Sequence, residues 1–105
     1  MIVGGRYEVG TADSFRSGSA RAVRAGGELV AIFNIEGELY AIADTCSHAQ
    51  ASLSEGVISG NEVTCPLHGS RFDVRTGAVL SLPASAPVEA FPIEVDGGRV
   101  FVTIS

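Results

Sequence analysis

Two short clusters hold every cysteine and every histidine of this 105-residue chain: Cys46-Ser47-His48 and Cys65-Pro66-Leu67-His68. Residues 49–64 separate them. Thiolate and neutral imidazole are metal ligands, and two of each can saturate a four-coordinate site. A disulfide between Cys46 and Cys65 would leave both histidines without a purpose. A zinc ion bound by two thiolates and two imidazoles uses the same residue types. Zinc spacings, however, more often pair Cys with Cys and His with His. Both histidines fall in these clusters, so no separate nucleophile–base pair remains. Nor does a set of His and carboxylate ligands remain for a mononuclear iron. No glycine-rich dinucleotide or phosphate fingerprint is present.

The elements that must position these clusters read as short strands. Alternating apolar residues and turn residues dominate, and helical periodicity is scarce. Leu29 to Ile35 and Glu38 to Ala43 flank a turn at Glu36-Gly37. Val57-Ile58 and Glu62 to Thr64 flank Ser59-Gly60-Asn61; Arg71 to Val74 and Ala78 to Leu80 flank Arg75-Thr76-Gly77. Phe91 to Val95 and Arg99 to Ile104 flank Asp96-Gly97-Gly98. Tyr7 to Val9 and Ala20 to Arg24 make shorter strands, and Gly10 to Gly18 has room for a helical turn. Such spacing predicts an all-β sandwich or barrel. Pro92 inside a strand marks an edge or a bulge. Each ligand cluster follows a strand, so each sits on a loop at a strand end, and the hairpin from Val57 to Thr64 folds back to join them. Ser81 to Val88 carries two prolines and reads as a stiff, extended loop: a plain connection, or a cover over something exposed.

The chain is 46% hydrophobic with a formal charge of −5. It has only seven cations, all arginine, against the basic patch that a nucleic-acid partner usually requires. No apolar run approaches the roughly 18 residues of a membrane span, and the first residues lack a signal-peptide pattern. Between Ala25 and Ser70 there is no arginine, but there are Glu28, Glu36, Glu38, Asp44, Glu55 and Glu62. This stretch is either a solvated surface or a patch that steers a basic partner.

Cys-x-His, sixteen residues, then Cys-x-x-His resembles the binding pattern of the Rieske family, in which two His replace two Cys on one iron of a 2Fe-2S cluster. The run Cys65-Pro66-Leu67-His68-Gly69-Ser70-Arg71-Phe72-Asp73 is similar to that family's second cluster loop. Gly77, Leu82-Pro83 and the closing hairpin add to the likeness, which spans the whole length of the small Rieske ferredoxins of bacterial ring-hydroxylating dioxygenase systems. The resemblance implies the Rieske fold: an antiparallel β-sandwich or barrel base with a small cluster-binding subdomain of two loops. It implies a single domain over 1–105, with the cluster-binding part at about 44–72. It also assigns Cys46 and Cys65 to the inner iron and His48 and His68 to the outer one. Gly69 then lets backbone approach the cluster, and amides near Ala49, Gln50, Leu67 and Ser70 are candidate donors to its sulfurs.

Ligand charge sets the expected electron affinity. Two ferric irons (+6), two sulfides (−4) and two thiolates (−2) sum to zero with neutral imidazoles, so reduction gives −1. Four thiolates would give −2 and −3. Histidine ligation therefore raises the potential. High-potential members of the family add a disulfide across the two loops and Ser and Tyr donors. Here Leu67 stands where one of the extra cysteines would be. Ser70 matches the Ser, and Phe72 replaces the Tyr. A low-potential centre follows.

The functional expectation is a soluble, cytoplasmic, monomeric one-electron carrier. It takes electrons from a flavin-containing, nicotinamide-linked reductase and passes them to a terminal Rieske oxygenase. It is not itself an enzyme, and it binds no nucleic acid and no membrane. Partners should dock where His48 and His68 reach the surface, at a rim including Gln50, Leu67 and Pro83. The alternative is an obligate subunit of a larger oxidoreductase, as in the small subunit of assimilatory nitrite reductase.

Overall fold

The computed structural model describes residues 5–47 and 50–104. The backbone turns where the sequence supplies residues that tolerate it. Glu36 and Gly37 adopt φ of 54° and 92°, and Gly97 and Gly98 adopt 60° and 80°. Two consecutive left-handed residues give the tight hairpin that matches strand twist. These turns link β3 (Glu28–Ile35) to β4 (Glu38–Ala43) and β9 (Ile93–Asp96) to β10 (Arg99–Ile104). The other strands are β1 (Gly5–Thr11), β2 (Ala20–Ala25), β5 (Val57–Ser59), β6 (Glu62–Thr64), β7 (Arg71–Asp73) and β8 (Ala90–Phe91). They form three antiparallel sheets, ordered β1-β10-β9, β2-β3-β4-β8 and β5-β6-β7. The fold is all-β, as expected. Ala12–Ser14 forms the single helical turn anticipated between Gly10 and Gly18.

The second sheet is the middle layer. Its strand β3 is buried from Val30 to Asn34, because both faces are covered. Val30 and Ile32 pack with Val100, Val102 and Ile104 of β10 and with Phe91 of their own sheet. Ala31 and Phe33 pack with Cys46, Leu53, Val63, Cys65, Phe72 and Val74 on the other side. Covering both faces turns an alternating strand into a continuous apolar run. Asn34 is tolerated there because both ends of its amide are bonded: Nδ2 donates to Phe15 O at 2.7 Å and Oδ1 accepts from Gly37 N at 2.8 Å.

Two hairpins differ from the sequence expectation. Phe91 to Val95 is not one strand. Pro92 has no N–H and falls between β8, paired with β4, and β9, paired with β10, so the chain changes sheets there. Both short strands are sheet edges. The return from β7 also fails to become a strand. Only one bridge, Phe72 to Val79, is made, flanked by Asp73 N to Ala78 O at 2.9 Å and Leu80 N to Arg71 O at 2.7 Å. The Asp73 carboxylate bonds Arg75 N (2.8 Å) and the Arg75 guanidinium (2.9 and 3.1 Å), fixing a turn that sends the chain across the subdomain.

Candidate metal centre

Strand β4 runs directly into Asp44 and the first ligand loop, and β6 runs directly into Cys65, so both cysteines sit at one pole. The loops close in the same way. Cys46 N–H donates to Ala51 O at 2.9 Å, and Cys65 N–H donates to Ser70 O at 2.7 Å. Just outside each closure lies an antiparallel pair, Thr45 with Ser52 and Thr64 with Arg71. Each loop thus presents its cysteine at the same position of a six-residue turn.

The two thiols are buried, free of a disulfide, and within hydrogen-bonding reach of each other. Burial pushes the Cys65 thiol up. The Leu67 amide, donating to its sulfur, acts against that, and contact with Cys46 pushes it further up. The Leu67 amide is one of the donors anticipated from sequence. Two adjacent buried sulfurs are suited to share one metal ion. His68 is exposed and has a φ of 75°, a conformation uncommon for a residue with a side chain; Gly69 continues it at 78°, with open space where a Cβ would stand. An outlier of that kind on a candidate ligand is consistent with a functional constraint. His48 and Ala49 lie outside the described residues. Among the described residues, no three Cys, His, Asp or Glu side chains converge on one point.

The surrounding residues sort by burial. Gln50 and Pro83 are exposed, and Leu67 is 45% exposed. Phe72 is fully buried in the core that includes both cysteines. Ser70 is also fully buried, and its Oγ accepts the Ala84 N–H at 2.8 Å. That bond leaves the Ser70 proton available to another acceptor. Residues 81–88 form a strap laced to both loops. Ser47 Oγ donates to Ala86 O at 2.6 Å, Ala84 is held by Ser70, and Ser81 Oγ accepts Arg71 N–H at 3.0 Å. Leu82 stands 78% exposed at its tip. The sequence reading missed Ser47 and Ser81. A hydroxyl beside a ligand and another heading a proline-rich loop were the available signals.

The acidic stretch is not one patch. Asp44 is fully buried, which corrects its placement on the surface. Glu62 pairs with Arg71 at 2.8 Å. Glu36 and Glu38 flank the β3–β4 turn, at the end of β4 away from Cys46. Only Glu28 and Glu55 remain exposed toward the ligand pole.

The match to known proteins agrees with this geometry. Residues 5–92 match the Rieske [2Fe-2S] domain, and the chain belongs to that family. It is 46% identical over 77 residues to the 3-phenylpropionate/cinnamic acid dioxygenase ferredoxin subunit of Escherichia coli (strain K12), covering 72% of this chain and 73% of that one. The solved ferredoxin of carbazole 1,9a-dioxygenase from Nocardioides aromaticivorans IC177 superposes with a TM-score of 0.89 at 40% identity, over 92% of this chain and 95% of its own. A complex of reduced oxygenase and oxidized ferredoxin in carbazole 1,9a-dioxygenase gives 0.87 at 39% identity, over 92% and 91%. A putative NADH-dependent nitrite reductase small subunit from Mycobacterium tuberculosis gives 0.88 at 21% identity, over 99% and 98%, which shows shared fold alone. The cofactor of this chain is a Rieske-type 2Fe-2S cluster. Its relatives are ferredoxin components, electron carriers rather than catalysts.

Proposed function

We propose that the chain is a one-electron carrier between a flavin-containing, NAD(P)H-dependent reductase and the terminal oxygenase of an aromatic ring-hydroxylating system. One observation carries the reading: two adjacent buried thiols at matched positions of two identically closed loops, the second of which also carries exposed His68. Cys46 and Cys65 would hold one iron, and His48 and His68 the other. The bound cluster supplies reversible one-electron chemistry. The protein supplies burial of the thiolates, the Leu67 amide to a ligand sulfur, and a histidine-bearing surface through which the electron leaves. Ser70 would donate its free proton to a cluster sulfur. The whole chain acts as one domain, with residues 44–72 as its cluster-binding part.

Exposed Leu67, Leu82 and Pro83 support an apolar docking rim beside His68. Gln50 would complete it on the first loop. No helix among the described residues is long and apolar enough to cross a membrane. A cytoplasmic, monomeric carrier is the state that suits the role. The test is rapid mixing. A matched reductase should reduce the purified protein, and a ring-hydroxylating oxygenase should reoxidise it, with the reduced state followed by electron paramagnetic resonance. Reduction only within a stable complex with a large catalytic subunit would favour the enzyme-subunit reading instead.

A further inference from the structure

Gly56 lies where the roots of the two ligand loops meet. It ends the Leu53–Glu55 turn that follows the first loop, and its N–H donates to Leu53 O at 3.0 Å. Its φ of −81° and ψ of 175° are ordinary extended backbone, open to any residue. Space alone demands glycine there. A Cβ would collide with the Thr64 carbonyl oxygen and come within 3.0 Å of Val63 Cγ2. Thr64 immediately precedes Cys65. The obstacle is backbone on a paired strand, since Thr64 is matched with Val57 on one side and with Arg71 on the other. Val63 is fully buried. The Gly56 side is no freer. Leu53 N–H donates to Asp44 O at 2.7 Å, Thr45 bridges Ser52, and Cys46 N–H closes on Ala51 O at 2.9 Å. The turn and the first loop are thereby tied into one piece.

We propose that Gly56 is a positioning residue for the cluster: it lets the root of the first loop lie directly against the Thr64 backbone and so sets the separation of Cys46 from Cys65. The inference rests on the reading of both cysteines as ligands. With a side chain at position 56, the two backbones must part by about 1 Å to reach ordinary contact. If β6 yields, Cys65 moves with Thr64. If the turn yields, Cys46 moves with Ala51 and Leu53. Either way the gap between the two sulfurs changes. Metal sites hold their ligand distances to about 0.2 Å, so a shift of that size is more than a cluster bridging both loops can absorb.

The experiment compares the cluster-loaded wild type with Gly56→Ala and with Val100→Ala. Val100 is fully buried in the base, so its truncation lowers stability away from both loops. Iron, labile sulfide, circular dichroism and thermal midpoint are determined for each. The rate of iron release to a chelator and the electron paramagnetic resonance spectrum of the reduced protein are then read. Gly56→Ala should keep its β-sheet dichroism and hold less iron and labile sulfide. What it holds should be released about tenfold faster or more, as when a residue supporting metal ligands is lost, and with a shifted resonance. Val100→Ala should melt earlier with wild-type iron, release rate and resonance. Gly56→Ala with wild-type iron, release rate and resonance overturns the proposal, however low its melting temperature, because the glycine then serves stability alone. Loss of the sheet dichroism together with the iron overturns it too, because the glycine then serves the fold as a whole. A wild-type protein without iron and labile sulfide would instead sink the ligand reading, and this proposal with it.

Discussion

The two ligand loops share one closure and differ in what supports it. The second rises from a hydrogen-bonded hairpin, β6–β7, and its flanks Val63 and Phe72 are fully buried. Backbone pairing and apolar packing hold it. The first has one bridge, Thr45 to Ser52, and a helical turn capped from a distance by Asp44. The strap then ties them together in opposite senses: Ser47 donates to it, and Ser70 accepts from it. The same presentation of a cysteine can thus be reached through local pairing or through long-range polar contacts. The second route is the more fragile, because a buried polar contact broken on one side leaves an unsatisfied group.

The largest expected effect is at the shared position. Cys46→Ser and Cys65→Ser should each abolish the cluster, measured as loss of two irons and two labile sulfides per chain. If the loops are supported as described, Cys46→Ser should also lower the melting temperature more than Cys65→Ser, since the first loop depends more on what it surrounds. Equal losses would erase the distinction.

Gly77 is next. A Cβ there would collide with the Val88 carbonyl oxygen at the end of the strap, and its φ of 80° disfavours a side chain. Gly77→Ala should cost roughly 2–4 kcal/mol, in the range of forced steric and backbone strain. That corresponds to a thermal midpoint lower by about 10 °C or more. Calorimetry on the loaded protein reads it directly.

Smaller, but diagnostic of the strap, are the two serines. Ser70→Ala should lower the potential by about 30–65 mV, if its proton serves a cluster sulfur. It also frees the buried Ala84 N–H, at a cost of about 1 kcal/mol. Ser47→Ala removes a bond to the strap from an exposed residue and should shift stability by less and the potential hardly at all. Equal potentials for Ser70→Ala and wild type would leave Ser70 as a strap anchor only.

The smallest effect lies away from the cluster. Hydrogen bonds from Arg75 hold the Asp73 carboxyl below its usual range. A lowered folded-state value contributes stability above the unfolded value of about 3.9, and that stability is lost as pH falls through the folded value. Asp73→Asn should therefore cost about 0.5–1 kcal/mol near neutral pH, a modest figure because Arg75 is half exposed. Denaturation curves of the two proteins should converge in acid. A gap that stays constant to low pH would mean the carboxylate acts by shape.

The sequence by itself determined the strand-rich fold and most of the hairpins, and it put forward the candidate ligands. Turn chemistry and residue type are local properties: Glu36-Gly37, Gly97-Gly98 and the two Cys/His clusters announce themselves within a few residues. The split at Pro92 was half visible, as a missing N–H. Which sheet each half joined was not, because that depends on β4 and β10. Asp44 shows the limit most clearly. In one dimension it was one of six acidic residues in a stretch without arginine. Only the packing of β3, the first loop and the Leu53–Glu55 turn around it made it a fully buried carboxyl that caps that turn. Burial and partner choice are sums over segments distant in sequence, and no local pattern carries them.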